Sequence, residues 1–375
     1  MNRISIIFCF LCALIGNACD GTSTRSNTNS GGVASTGGTN ADATGFTSGG
    51  SGTTGGEGAG GTPNAGGSAN STGGVTGVGG TSTGASTAAD SKTIVTLASG
   101  QTNLCGGPAV NDTYVFWCAN STLMRVEKAG GTPTTLVTFS NRPGGLSADA
   151  DSVYWDDYDN SNASVMKVSV TGGTPVALTS GQVFPGALAL DESSVYWVNS
   201  GSGNSTGSVM KVTKDGNAPV TLASGLVTGG AVAVDATSVY WEEGGYTAPI
   251  SKVALGGGAP AVLANAQTLE DMCGIALDAN NVYWMERWNA GSFGGLYKVA
   301  KGGGTVVKVV TGETTPCLAG VDATDAYWTN SSGVRRVSLN GGTPVTAISG
   351  PLSGFAMDAT RLYWLDGNSV KSVAK

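Results

Sequence analysis

The chain has 375 residues, 61 of them glycine, a formal net charge of −7 and no histidine. The charge, with Arg335-Arg336 as the densest basic pair, argues against nucleic acid as a partner, because neutralising a phosphate backbone takes clustered Lys and Arg. The missing histidine removes Ser-His-Asp and Cys-His hydrolases, HExxH metalloproteases and His-ligated zinc, haem or copper. Carboxylate, Lys or Tyr chemistry remains open to an enzyme.

Arg3 precedes the apolar run Ile4–Ile15, which is too short to span a bilayer as a helix. A basic start, a short apolar core and small Gly16 and Ala18 predict a secretory signal over residues 1–18. Cleavage before Cys19 leaves two readings. In one the protein is freely secreted with an unpaired Cys19. In the other, which the following residues favour, the segment resembles a bacterial lipoprotein signal, and Cys19 becomes the lipid-bearing anchor to the membrane. Residues 19–91 are a Gly/Ser/Thr-rich tether with almost no large apolar side chain, a composition that cannot offset the entropy of ordering. As a random coil such a chain reaches ~45–50 Å. The signal and tether place the protein in the extracytoplasmic cell envelope.

Residues 92–375 repeat one phrase. It reads "NDTYVFW" from Asn111, "DADSVYW" from Asp149, "DESSVYW" from Asp191, "DATSVYW" from Asp235, "DANNVYW" from Asp278, "DATDAYW" from Asp322 and "DATRLYW" from Asp358. The Trp residues (117, 155, 197, 241, 284, 328 and 364) recur about every 40 residues, a spacing of strand-rich propeller blades rather than helical solenoids. The third unit shows the pattern: strand-like runs at Ala187–Asp191, Ser194–Val198, Ser208–Lys214 and Ala218–Ser224. An Asp opens the turn after the first run, and Gly-rich turns such as "TGGTP" follow the third. "TIVTLAS" at Thr93–Ser99 reads as a fourth run, and the last unit lacks one. The predicted fold is therefore all-β: a seven-bladed β-propeller of four-stranded antiparallel blades, closed by the amino-terminal strand pairing into the last blade. The repeated Tyr-Trp pairs are read as blade-to-blade core and the repeated Asp as turn caps. "GNSTG" at Gly203–Gly207 matches a GxSxG pattern, but it has no histidine and lies between strands, so it is read as chance.

"VYW" with an acidic or amide residue two places after Trp (Asp157, Asn199, Glu243, Glu286, Asn330, Asp366), preceded by "GIALD" or "AVAVD", resembles the YWTD repeats of low-density-lipoprotein-receptor propellers. The resemblance spans residues 92–375, with seven units here against six in that family, and implies a propeller used for protein binding. The chain is also similar to bacterial surface lipoproteins of propeller type.

Turns after the first and third runs are short and uniform, so their face is scaffold. The loops after the second run vary, and variable loops on a rigid frame are where binding sits. Arg287, Trp288 and Phe293 stand out of register with the other units, and Trp288 is the one Trp outside the repeat. With Tyr246, Glu242, Glu243, Asp156, Asp157 and Tyr158 they form the candidate binding surface for a protein or glycan, against the alternative that Trp288 only caps its blade. "DDYDNSN" from Asp156 has the alternating oxygens of a partial calcium loop, with Asp157 and Asp159 as the candidate ligands, but lacks the Gly and distal Glu of an EF-hand. No cofactor is otherwise expected. Four cysteines remain in the domain, and the predicted pairing is Cys105–Cys118 and Cys273–Cys317. The expected function is a monomeric binding module at the cell envelope. The alternative is a cation-dependent, lactonase-like hydrolase with Glu270, Asp271 and Glu313 at the ring's axis.

Overall fold

A run of Val, Tyr and Trp with side chains alternating across a strand makes both faces of a sheet apolar, so each sheet needs a neighbour on either side. The computed structural model describes residues 92–139, 143–157, 162–201, 205–243, 249–267, 271–287 and 294–375. The signal, the tether and Cys19 lie outside the described residues.

The described residues form seven four-stranded antiparallel sheets, with no helix among them. The first described strand is β1 (Val95–Ala98), and blade 1 follows as β2 (Leu104–Val110), β3 (Tyr114–Ala119), β4 (Thr122–Glu127) and β5 (Thr134–Thr138). Blade 2 is β6 (Pro143–Ala148), β7 (Ser152–Asp157), β8 (Ala163–Ser169) and β9 (Val176–Gln182). Blade 3 is β10 (Ala189–Leu190), β11 (Ser194–Asn199), β12 (Gly207–Thr213) and β13 (Val220–Leu226). Blade 4 is β14 (Gly229–Val234), β15 (Ser238–Glu243), β16 (Pro249–Ala254) and β17 (Ala261–Asn265). Blade 5 is β18 (Asp271–Leu277), β19 (Asn281–Arg287), β20 (Gly294–Ala300) and β21 (Val307–Glu313). Blade 6 is β22 (Cys317–Val321), β23 (Asp325–Asn330), β24 (Gly333–Ser338) and β25 (Val345–Ser349). Blade 7 is β26 (Gly354–Met357), β27 (Arg361–Asp366) and β28 (Ser369–Ala374), completed by β1.

The first strands of successive blades touch in an unbroken cycle, from β2 through β6, β10, β14, β18 and β22 to β26 and back to β2. β1 closes the ring as expected, pairing antiparallel to β28 with Val95 opposite Ser372. The expected strand runs are present. The second strand of most blades continues two residues past its Trp, as β15 does to Glu243, into what reads as loop in the sequence.

All seven repeat Trp are buried, and the Tyr beside six of them, with Phe116 in the first unit, are buried too. Burying an aromatic of this size removes ~150–250 Å² from water, or roughly 4–6 kcal/mol at ~25 cal/mol per Å². The apolar clusters run across seams between adjacent blades: one joins Phe116, Leu123 and Phe139 of blade 1 to Leu146 and Trp155 of blade 2.

The turns between first and second strands are locked by their Asp. In blade 4 the Asp235 Oδ1 accepts the amides of Thr237 (2.8 Å) and Ser238 (3.0 Å), and Oδ2 accepts the Tyr240 hydroxyl (3.0 Å). A lysine from the next blade then reaches the same carboxylate. Lys301 bonds Asp235, Lys214 bonds Asp149, Lys375 bonds Asp322 and Lys128 bonds Asp358, at 2.6–2.9 Å. Each ammonium also lies 4.9–5.7 Å from the ring centre of that Tyr, within cation–π range. The repeat thus holds a carboxylate, a phenol and an ammonium in one cluster at four seams.

Burial pushes these carboxyls up, but the lysine bond and the turn amides outweigh it, so Asp149, Asp235 and Asp358 sit below the usual range and Asp322 is lowered to about 2. Their folded pKa lies under the unfolded value of about 3.9. The stability they contribute is complete above about pH 4 and is lost as pH falls toward 2. Lys301→Met should cost ~0.5–1 kcal/mol near neutrality, and the deficit should shrink as pH drops below about 4. Circular-dichroism melts of both proteins across pH 2–7 measure this.

Candidate functional site

The antiparallel order puts the second-to-third loops and the blade-to-blade crossovers on one face and the other two turns on the opposite one. On the loop face five of the seven inner strands, β2, β6, β14, β18 and β22, carry a bulge, most of them at glycine. Examples are Gly144–Gly145 in β6, Gly230–Ala231 in β14 and Cys273–Gly274 in β18, where the pairing register shifts. Gly354 of blade 7 approaches Gly107 of blade 1 so closely that an added Cβ would lie 2.6 Å from the Gly107 Cα. Only glycine permits this contact.

The residue after Trp faces that bulge. In blade 2 it is Asp156, 1% exposed, whose Oδ1 accepts the Gly145 amide at 2.8 Å. A Cβ on Gly144 would stand 2.0 Å from Asp156 Oδ2, so the glycine makes room for the carboxylate. In blade 4 it is Glu242, 4% exposed, whose Oε1 accepts Ala231 N–H (3.1 Å) and, across the seam, Gly274 N–H (3.3 Å). Next to Gly274, Cys273 is joined to Cys317 of blade 6, with a Cα–Cα distance of 4.8 Å. Cys105 and Cys118 are joined within blade 1, Cα–Cα 5.1 Å. Both separations fall in the range a disulfide needs.

Asp156 and Glu242 therefore point inward instead of lining an open acidic surface. They belong to strands, and alternate strand residues face opposite sides of a blade covered on both sides. Asp157, Glu243 and Arg287, at the ends of their strands, are half-buried on the loop face. Tyr158, Asp159, Tyr246, Glu270, Trp288 and Phe293 lie outside the described residues. The Asp157 carboxylate accepts the amide of Ser164. Glu313 is buried and committed to blade 6: Oε2 accepts the Trp328 indole N–H at 2.9 Å and Oε1 accepts Arg335 Nη2 at 3.2 Å. Among the described residues no three Asp, Glu or Cys come together as a metal-binding group.

Sequence reasoning missed how the outer strand of one blade caps the Trp of the next. Glu313 does so for Trp328, and Gln101 Oε1 accepts Trp117 N–H at 3.0 Å. Gln182 holds Asn199 (2.9 Å), which in turn accepts Trp197 N–H (3.0 Å). Phe139 meets Trp155 edge-on, ring centres 5.4 Å apart. The signal was there as "SGQ" at Ser99–Gln101 and Ser180–Gln182, "SGL" at Ser224–Leu226 and "TGE" at Thr311–Glu313. Each central Gly (100, 181, 225 and 312) has φ between +69° and +87°, a conformation L-residues avoid. On the outer rim, a shallow groove of about 420 Å³ lies between Lys308–Thr311 and the turn Gly342–Pro344 of the next blade.

No family model matches the chain, and no curated protein matches it. Solved structures share the fold. The extracellular domain of the hybrid two component system BT4673 from B. thetaiotaomicron aligns with TM-score 0.56 and 9% identity, over 75% of this chain and 39% of that one. The computationally designed Ika8 protein gives TM-score 0.52 and 13% identity over 75% and 98%. A puromycin-hydrolyzing peptidase of Mycobacterium tuberculosis gives 0.53 and 14% over 72% and 51%. At these identities the likeness is one of fold.

Burial raises the Asp156 carboxyl to about 7, against the Gly145 hydrogen bond and with the neighbouring Asp157 charge adding to the rise. Its folded pKa exceeds the unfolded value of about 3.9. Its stabilising contribution is therefore full below about pH 4 and lost as pH climbs through 7. Asp156→Asn keeps an acceptor for Gly145 and removes the charge. It should melt several degrees above the parent at pH 8–9 and near it at pH 4, as scanning calorimetry would show.

Proposed function

We propose that the propeller is a binding module carried outside the cytoplasm, taking a protein or glycan partner on its loop face. The recurring residues, Trp in every blade with Tyr and the turn Asp in six of the seven, are spent on packing and capping, so recognition falls to residues that differ between blades. Those cluster after the second strands, where Arg287 and the sequence around it break the repeat. The YWTD-like phrase is consistent with a protein partner.

The observation that carries this reading is where the chain enters the ring. β1 runs antiparallel to β28, and Lys375 N–H bonds the Thr360 carbonyl in the first turn of blade 7. Lys92 therefore lies toward the turn face, opposite the variable loops. Attachment on that face keeps the root of the tether off the variable loops, which stay open to a partner.

The test uses the full-length protein as bait for envelope extracts, followed by titration of the captured partner. Arg287→Ala with Trp288→Ala should leave the melting temperature unchanged and weaken binding ~30-fold, the effect of a hot spot worth about 2 kcal/mol. Capture that is indifferent to both changes would remove the loop face as the site. Cys19→Ser should move the protein from the membrane fraction to the soluble one.

A further inference from the structure

We infer that the ring has one built-in opening line, the seam between blades 3 and 4. One position per blade decides which seams carry the lysine–aspartate pair. It is held by Lys128, Val170, Lys214, Leu255, Lys301, Leu339 and Lys375 in chain order, and the amide of each bonds the equivalent turn carbonyl of its own blade. Lys and an aliphatic residue thus alternate. The seams 1/2, 3/4 and 5/6 have Val170, Leu255 and Leu339 where the others have an ammonium.

Two of these three seams have another link. At 1/2 the turn residue is Asn111, uncharged, and its Nδ2 donates across the seam to the Asp149 carbonyl at 2.8 Å. At 5/6 the Cys273–Cys317 bond joins β18 to β22. At 3/4 the turn keeps its carboxylate: Asp191 is met by Tyr196, Ser193 and Ser194 of its own blade, and Leu255 stands opposite. A second row of lysines reaches main-chain carbonyls of the next blade. Lys167, Lys252 and Lys298 do so at 2.5–2.7 Å, whereas Lys211, which spans seam 3/4 to the Leu255 carbonyl, does so at 3.3 Å. The inner strand at this seam is also the shortest of the seven described, β10 having two residues. Beyond it the pairing continues as a lone bridge, Pro185 to Asn199, next to Phe184 at φ +51°. Apolar packing remains, through Ala189, Tyr196, Leu226 and Trp241. Among the described residues no ion pair or disulfide crosses this seam, so it parts first, and partners bound across blades 3 and 4 would hold it shut.

Hydrogen exchange read by mass spectrometry on the full-length protein tests this. In the native protein the amides of Gly186–Leu190 and β14 should exchange at least tenfold faster than those of β6, β18 and β22. Leu255→Lys places an ammonium against Asp191, as Lys214 sits against Asp149, beside Lys211, which already lies 5.4 Å from the Tyr196 ring centre. It should slow exchange at seam 3/4 severalfold and raise the melting temperature by roughly 2–4 °C. Leu339→Lys, at the disulfide-linked seam, should leave exchange at 3/4 unchanged. Uniform exchange across the seven inner strands, or fastest exchange at 1/2 or 5/6, would overturn the inference. So would a folded Leu255→Lys protein with unaltered exchange. If that variant does not fold, the native comparison alone decides.

Discussion

A sheet of four strands with aromatic side chains on both faces has no stable existence in water by itself. Each blade here buries its Trp and the Tyr or Phe beside it only because another blade lies on either side, and this holds for all seven only if the last blade meets the first. Closure is therefore a condition of the whole domain's stability. It is met by placing the four residues of β1 on the outer edge of blade 7. A blade seam that separates exposes two Trp-bearing faces at once, which is why the polar ties between blades matter beyond their individual strength.

Those ties divide by face. On the turn face they are ionic and periodic, built from Asp, Tyr and Lys. On the loop face they are irregular: a disulfide, a glutamate that spans two blades, indole N–H groups capped by Gln, Asn or Glu. Regularity on one side and improvisation on the other is the physical form of a scaffold that carries a variable surface. The buried carboxylates Asp156 and Glu242 belong to this second group. They satisfy amides that the glycine bulges leave out of the strand ladder, and their cost in burial is the reason Asp156 titrates far from its ordinary range.

The fold was readable because its signal is repeated. Seven variants of one phrase, Asp-x-x-x-Val-Tyr-Trp in its commonest form, recurring about every 40 residues, give strand, turn and core together, and the unmatched run at Thr93–Ser99 gives closure. What could not be read were the contacts between units. Lys214 and Asp149 are partners through the ring's geometry and share no local pattern. The orientation of Asp156 and Glu242 was misjudged because an acidic residue following a strand looks like loop, while the strand in fact continues past it. The site residues that remain candidates, Arg287 above all, rest on being exceptions to the repeat, and an exception marks a place without stating a ligand.

Alternation and an odd number cannot both be satisfied around a circle. With lysine in blades 1, 3, 5 and 7, the pattern must fail once, and it fails where blade 7 meets blade 1: Lys375 and Lys128 are neighbours in the sequence of blades. This parity defect gives blade 7 a charged grip on each flank. It falls on the one blade assembled from both termini, whose edge strand is attached by noncovalent bonds alone. An even-bladed relative with the same two-residue alphabet would have no such doubled grip to offer its closing strand.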